Sequence, residues 1–140
     1  HCGGLYVQLR LSVDSTLLTP RQCDCSFCTK HGAAYVSDPQ GSLVIVEQRP
    51  GCWHEYRQGS NNANFLLCSD CGVLVSVLFD HPLGLFGAVN LKCLDEQSGW
   101  GSVATTSPRL LDVETRTERW MQLWFANVVI RRWAQTATTS

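Results

Sequence analysis

Residues 65–79 read Phe-Leu-Leu-Cys-Ser-Asp-Cys-Gly-Val-Leu-Val-Ser-Val-Leu-Phe, a pattern that predicts a β-hairpin. The runs at 65–67 and 73–79 are apolar and rich in Val and Leu, and runs of this length and composition favour strands. Between them lie Cys68 and Cys71, a C-x-x-C pair followed by Gly72. Thiols at this spacing are typical metal ligands. The stretch therefore predicts a β fold that presents two cysteines from a turn.

Strands are also predicted on both sides of this hairpin. Residues 5–11 alternate apolar and polar side chains, as expected of a half-buried strand. Further strands are predicted at residues 33–36, 43–47, 53–57, 85–91 and 128–133, with a turn at 38–41. Residues 14–22, 59–62 and 95–109 are predicted to be loops. The fold class is therefore mainly β, with sheets packed as in a sandwich or barrel.

One helix is predicted near the C-terminus. Asp112 can cap its N-terminus, Glu114 suits its first turn, and one face at helical spacing would be formed by Val113, Thr117, Trp120, Met121 and Trp124. Residues 134–140 are polar and are predicted to form a flexible tail. The chain of 140 residues is long enough for one domain with a substantial core, so a single domain over residues 1–140 is expected.

Charge and hydropathy narrow the function classes. The formal net charge is -1, and no basic stripe is present, so neither nucleic acid nor a membrane surface is expected as a partner. No apolar run is long enough to cross a bilayer. Clustered free thiols require a reducing compartment, so a cytoplasmic location is expected. The sequence carries no signal for an oligomeric state.

The eight cysteines are the most informative residues of the chain. Cys23, Cys25 and Cys28 form a C-x-C-x-x-C cluster, whose spacing lets three thiols converge on one ion. Disulfide frameworks scatter their cysteines instead, so the clusters indicate a metal, with zinc as the best candidate. A zinc ion with three protein ligands keeps one position for water or substrate, which suggests catalysis or exchange.

The second cluster has two thiols and needs ligands from elsewhere. Cys2 is the best placed by spacing, and a site assembled from such distant segments is expected to be structural. A redox role for the C-x-x-C pair is disfavoured because no β-α-β pattern surrounds it. Cys52 and Cys93 are interpreted as small buried core residues. Histidines are weaker candidates: His1 for the Cys2 site, and His31, or less plausibly His54, as a fourth ligand of the cluster at 23–28.

Three motifs in this order resemble the family of glutathione-dependent formaldehyde-activating enzymes, which includes centromere protein V. The motifs are His1-Cys-Gly-Gly-Leu5, Cys23-Asp-Cys-Ser-Phe-Cys28 and Leu67-Cys-Ser-Asp-Cys-Gly-Val73. The resemblance extends more weakly to residues 89–95 and to the final helix and strand. It implies a β-tent, a fold of small antiparallel sheets held by zinc.

The resemblance also implies a role for each cysteine cluster. Cys2, Cys68 and Cys71 match the ligands of a structural zinc, while Cys23, Cys25 and Cys28 match those of a labile zinc at the active site. The family has one more structural cysteine two residues before Cys2, a position that precedes His1. The fourth ligand is therefore expected from a residue before His1, or from a substitute such as His1 or water.

The activity implied by the resemblance is that of a carbon–sulfur lyase. Written as a synthesis, the reaction joins glutathione to formaldehyde and gives S-(hydroxymethyl)glutathione, so a small thiol and an aldehyde are the expected partners. A thiol bound to zinc is deprotonated and becomes the nucleophile. Arg21, Lys30 and Arg57 are candidates for binding the carboxylates of such a thiol, although each could equally be a solvated surface charge.

Two other functions remain open at this stage. A zinc-stabilised binding module without chemistry would need the cluster at 23–28 to be closed by a fourth protein ligand, for which Cys52, His31 and His54 are the candidates. A reductase would use Cys68 or Cys71 as a redox nucleophile with a low pKa.

Overall fold

The computed structural model describes residues 1–58 and 62–133, and it is mainly β. Ten strands are present in this part of the chain: β1 Leu5–Arg10, β2 Arg21–Cys23, β3 Ala34–Val36, β4 Ser42–Glu47, β5 Trp53–Arg57, β6 Asn64–Cys68, β7 Leu74–His81, β8 Gly84–Asn90, β9 Ala104–Thr106 and β10 Asn127–Arg131. Two α-helices accompany them, α1 Ser26–His31 and α2 Val113–Leu123, together with three single turns of 3-10 helix. The predicted tail at 134–140 lies outside the described residues, as does most of the break at 59–62.

The strands form two sheets. The smaller has the order β1-β4-β10, with β4 antiparallel to β1 and parallel to β10. The larger has the order β5-β6-β7-β8-β3-β2-β9 and is antiparallel except where β2 meets β9. No helix of the described residues has both the length and the apolar character needed to cross a membrane.

The hairpin predicted from residues 65–79 is confirmed as β6 and β7. Its turn is closed by two backbone bonds, from the N–H of Cys68 to the carbonyl of Val73 at 3.0 Å and from that of Gly72 to the carbonyl of Cys68 at 2.7 Å. Gly72 has a φ of 77°, a conformation that a residue without Cβ adopts at low cost. The first six residues of β7 are all buried, so the side chains on both faces of this strand are buried. This burial on both sides explains why the strand is apolar at nearly every position instead of at alternate ones.

The other predicted strands are also present, within a residue or two of the expected bounds. In β1, Leu5, Val7 and Leu9 are half-buried while Tyr6 and Gln8 are exposed, which confirms the alternation. The predicted turn at 38–41 is closed by the N–H of Gly41 and the carbonyl of Asp38.

Two predicted loops contain short strands that the sequence analysis missed. β2 begins inside residues 14–22 and ends at Cys23, β9 lies inside residues 95–109, and each has three residues. Three residues are too few to show an alternation of apolar and polar side chains. These two strands can therefore be recognised only by their pairing with other strands in the structure. The expectation of a single helix was also wrong, because residues 26–31 form a second helix, α1. Cys25 caps α1, and Gly32 ends it with a φ of 60°.

The predicted C-terminal helix is confirmed as α2. The Asp112 carboxylate accepts a hydrogen bond from the N–H of Thr115 at 2.7 Å, the bond expected of an N-cap. Trp120 and Trp124 stack at 4.7 Å and are buried against the large sheet. The apolar face is shorter than predicted, because Val113 at its start is 43% exposed. A second core, around Leu43, Ile45 and Phe125, fills the space between the sheets.

A buried carboxylate joins the two sheets. Glu47, at the end of β4, accepts hydrogen bonds from the N–H of Trp53, which opens β5, and from the N–H of Trp133 and the guanidinium of Arg132 beyond β10, all at 3.0–3.1 Å. Burial alone would raise the pKa of Glu47, but these donors outweigh it and hold the pKa below its ordinary value of 4.5.

Glu47→Gln is expected to lower the free energy of unfolding at pH 7 by about 2 kcal/mol, because Arg132 loses its charged partner. The folded-state pKa is depressed, so the stabilisation by the carboxylate is present above pH 4.5 and is lost as the pH falls through the folded-state value. Denaturant unfolding should therefore show that the difference in free energy of unfolding between wild type and variant becomes smaller below pH 4.5. A difference in free energy of unfolding that stays constant from pH 7 to pH 3 would contradict this linkage. Glu118→Gln, on the exposed side of α2, is the control.

Candidate metal centres and the adjoining cleft

The first cysteine triad lies at the junction of β2 and α1. Cys23 ends β2, Cys25 caps α1, and Cys28 lies one turn into the helix. The three sulfur atoms all lie within 4.8 Å of one another, so the structure brings together the set predicted from the spacing. The turn of helix makes this possible, because it returns Cys28 to the side on which the strand delivers Cys23.

Hydrogen bonds within this segment hold the thiols in place. The N–H of Cys28 donates to the Cys25 sulfur at 3.4 Å, and the N–H of Thr29 donates to the Cys25 carbonyl at 2.9 Å. The Cys25 side chain therefore occupies the capping position usually held by Ser or Asp. The sulfur that caps the helix is also a candidate metal ligand, so the start of α1 and the candidate metal site depend on the same backbone geometry.

Two polar side chains from other elements contact this triad. The hydroxyl of Tyr35, on β3, lies 3.2 Å from the Cys28 sulfur, and the amide nitrogen of Gln58 donates to the Cys25 sulfur at 3.6 Å. Burial raises the pKa of Tyr35, so the phenol keeps its proton and is able to donate it to a Cys28 thiolate. No local pattern in the sequence pointed to either residue. Tyr35 lies seven residues after Cys28, on the next strand, and Gln58 follows β5, 33 residues after Cys25.

Cys23 and Cys28 differ in how readily they ionise. A hydrogen bond from the Cys28 thiol, helped by the N–H of Cys25, lowers the pKa of Cys23 to about 6. The same pairing, together with burial, raises the pKa of Cys28. A cation bound by these sulfur atoms would displace the protons that the thiols carry.

The triad opens into a cleft of about 830 Å³. Its floor includes Cys23, Cys25 and Cys28, one wall is formed by α2 with Trp120 and Trp124, and the rim is residues 105–111. The rim is fixed to the end of β2, since the Ser107 hydroxyl donates to the Asp24 carboxylate at 2.5 Å. A concave, largely apolar space with a few convergent polar groups is the usual form of a small-molecule site.

The second triad joins Cys2 to the hairpin turn. Cys2, Cys68 and Cys71 also lie within 4.8 Å of one another, and the sulfur atoms of Cys2 and Cys68 are 3.6 Å apart. The backbone N–H of Gly4 makes the largest contribution to a lowered Cys2 pKa of about 7. None of these cysteines lines the cleft described above. His1 is not within the same distance of the three sulfur atoms.

An ion pair borders this second triad. The Arg49 guanidinium donates to the Cys2 sulfur at 2.9 Å and to the Asp70 carboxylate at 3.0 Å. Cys52 is fully buried, as predicted, and its thiol donates to Asp70 at 3.2 Å. Burial raises the pKa of Cys52 to about 11, which keeps it a neutral thiol. Arg49 places positive charge beside a thiol, which favours its ionised, metal-binding form.

The other candidates from the sequence lie apart from the first triad. His31 is exposed at the end of α1 and packs against Phe27 at 4.7 Å. His54 is exposed on β5, and Cys52 belongs to the surroundings of the second triad. None of the three joins Cys23, Cys25 and Cys28 within 4.8 Å among the described residues. Cys93 is half-buried, rather than fully buried as predicted, and its thiol donates to the carbonyl of Val75.

Of the three predicted cations, only Arg21 lines the cleft beside the first triad; Lys30 and Arg57 lie outside its lining. Arginines 109, 116 and 119 also line it, and the sequence analysis had not connected them with the cysteines. They belong to the rim and to α2, about ninety residues away in the chain, so no spacing rule could have found them.

Comparison with known proteins identifies a shared fold. The crystal structure of a Rhodobacter sphaeroides protein, a structural genomics target, is similar to this chain with a TM-score of 0.53 and 22% sequence identity. The match covers 74% of this chain and 95% of the other. No family model and no curated protein matches. At this identity the likeness concerns the fold alone.

Proposed function

We propose that this chain is a zinc-dependent carbon–sulfur lyase of the S-(hydroxymethyl)glutathione synthase type, with a β-tent fold. The observation that carries the proposal is the position of the Cys23, Cys25 and Cys28 triad at the floor of an open cleft. Three thiols leave a tetrahedral ion one position short, and here that position would face a space large enough for a substrate.

The donor set fits zinc at both triads. Sulfur ligands about 2.3 Å from a tetrahedral ion lie about 3.8 Å from one another, so groups within 4.8 Å need only small shifts to bind it. Thiolates select soft cations, which excludes magnesium and calcium as residents. Because the second triad is remote from the cleft, its zinc would be structural, whereas that of the first triad would be exchangeable.

The chain's own groups would orient the reactants. When bound, zinc supplies the deprotonation of a thiol ligand, and a thiolate is the nucleophile towards an aldehyde carbon. In the overall reaction the sulfur–carbon bond forms, and the proton lost by the thiol ends on the aldehyde oxygen. Tyr35 would hold Cys28 through its O–H donor, and Gln58 would hold Cys25. The apolar wall at Trp120 and Trp124 would exclude water from the reacting atoms.

This geometry argues against the alternative of a binding module without chemistry. It required a fourth protein ligand at the first triad, and Cys52, His31 and His54 all lie away from it. All eight cysteines are unpaired, so the proposal places the protein in a reducing compartment such as the cytoplasm.

Metal analysis of chain purified without chelator should give about two zinc ions per chain, because each triad supplies three soft ligands. After incubation with glutathione and gel filtration, the content should fall towards one as the thiol competes for the open site. Cys25→Ser should start near one and stay there, whereas Cys93→Ala should behave like wild type. Two ions that do not respond to thiol would contradict an open site and would favour a binding module.

Exchange of formaldehyde between free and glutathione-bound forms, followed by NMR, tests the activity. Zinc-loaded wild type should accelerate the exchange above the spontaneous rate, and Cys25→Ser should reduce the enzymatic part at least about tenfold, because the open site loses a ligand. Cys93→Ala should retain the wild-type rate. A Cys25→Ser variant as fast as wild type would refute the role of this triad.

Tyr35→Phe is expected to weaken zinc binding at the first triad about tenfold, since the Cys28 thiolate loses its hydroxyl donor. Competition with a chromogenic chelator measures the affinity. The matched control is Tyr56→Phe, because Tyr56 is 40% exposed and packs on Phe27 through its ring. Equal affinities in the two variants would show that the hydroxyl contributes nothing to the site.

A further inference from the structure

Positively charged side chains are concentrated in the cleft beside the first triad, although the chain as a whole carries a net charge of -1. Four of its eleven lysines and arginines line this one space: Arg21, Arg109, Arg116 and Arg119. Among the described residues, no aspartate or glutamate lines it with them. Low-dielectric walls concentrate the field of such a group, so the cleft attracts anions.

Two of the four arginines already have partners on the rim. Arg109 forms an ion pair with Asp24 at 3.3 Å, and Arg116 donates to the carbonyl of Leu111 at 3.1 Å. These contacts attach residues 105–111 to the end of β2 and to α2. Arg21 and Arg119 are the two lining arginines for which the described chain shows no contact with the rim.

Arg21 and Arg119 line the cleft together. Within the described chain, Arg21 donates one hydrogen bond, to the Ser37 hydroxyl at 2.5 Å, and neither arginine forms an ion pair. Arg21 is half-buried on β2, Arg119 is exposed on α2, and both line the cleft. A carboxylate bound in the cleft would therefore give the two guanidinium groups an opposite charge.

The position of Arg21 is fixed in advance of any ligand. Ser37, which accepts from Arg21, donates in turn to the carbonyl of Leu123 at 2.7 Å, at the end of α2. Arg21 also lies on the same three-residue strand as Cys23, and successive side chains at i and i+2 point to one side of a strand. The cationic group and the first thiol are thus presented to the same cleft.

We propose that Arg21 and Arg119 bind a carboxylate of the thiol substrate while its sulfur reaches the Cys23, Cys25 and Cys28 triad, which makes the pair a positioning and specificity device. The inference rests on the proposed function. The thiol carries the carboxylate because the cleft, at about 830 Å³, accommodates a peptide-sized molecule, whereas formaldehyde is far smaller and uncharged. The indole faces of Trp120 and Trp124 suit the apolar stem between the two ends.

Calorimetric titration with S-methylglutathione tests the site without the chemistry, because this probe keeps both carboxylates and has no free thiol to bind zinc or react. Zinc-loaded wild type should bind it, and its diethyl ester should bind at least about tenfold more weakly. Arg119→Gln should weaken binding of the acid about tenfold and leave that of the ester unchanged. Arg131→Gln, an exposed arginine on β10 in the other sheet, is the matched control and should bind like wild type.

Arg21→Lys serves as a second variant that keeps the charge and the fold. Lysine cannot present the planar fork of donors, so a several-fold loss of S-methylglutathione affinity is expected. In the exchange assay, Arg119→Gln should raise KM for glutathione with kcat preserved, and it should leave KM for an uncharged thiol such as 2-mercaptoethanol unchanged.

Each result bears on a different statement. Equal binding of S-methylglutathione by wild type, Arg119→Gln and Arg131→Gln would overturn the inference. If a zinc-loaded protein binds S-methylglutathione in an Arg119-dependent way but has no exchange activity, the carboxylate site is supported and the proposed function is contradicted. Arg119-dependent binding of glyoxylate, without binding of S-methylglutathione, would overturn the assignment of the carboxylate to the thiol.

Discussion

The carboxylate of Glu47 is buried where the two sheets meet, and a buried charge must be matched by donors that stay in place. Its donors come from both sheets, from Trp53 at the start of β5 and from Arg132 and Trp133 after β10. Arg132 also lies over the Trp53 ring at 4.6 Å. The relative position of the sheets therefore depends on one charged cluster in addition to apolar packing, and the core around Leu43 and Phe125 forms between surfaces that this cluster aligns.

From this framework the large sheet extends to both candidate metal centres. The hairpin of β6 and β7 carries Cys68 and Cys71 in its turn, while β2 carries Cys23 near the opposite edge of the strand order. β3 joins the two regions, because it pairs with β8 on one side and with β2 on the other. Tyr35, in the middle of β3, brings its hydroxyl to Cys28 and so connects the sheet interior with the first triad.

Features that depend on residues close together in the sequence could be predicted, whereas features that depend on distant residues could not. Long apolar or alternating runs such as β1 and β7 are predictable because burial imposes their period on the residues themselves. The first triad and the Cys68/Cys71 pair are likewise predictable from local spacing, whereas Cys2 joins that pair from a distant segment. β2 and β9 are stabilised by pairing across about eighty residues of chain, so no local pattern predicts them. Gln58 and Arg119 line the cleft from segments remote from the first triad, so the residues next to them in the sequence do not indicate their position.

Two segments of the chain form most of the cleft: residues 23–28 form its floor, and residues 105–124 form its rim and the facing wall. The two segments meet through the parallel pairing of β2 with β9, a contact made by backbone groups that tolerates most side-chain changes. Replacements at positions such as Arg119 or Leu110 would therefore leave the candidate metal ligands in place. This arrangement allows the lining of the cleft to change by mutation of a single contiguous segment while the cysteine triad stays the same.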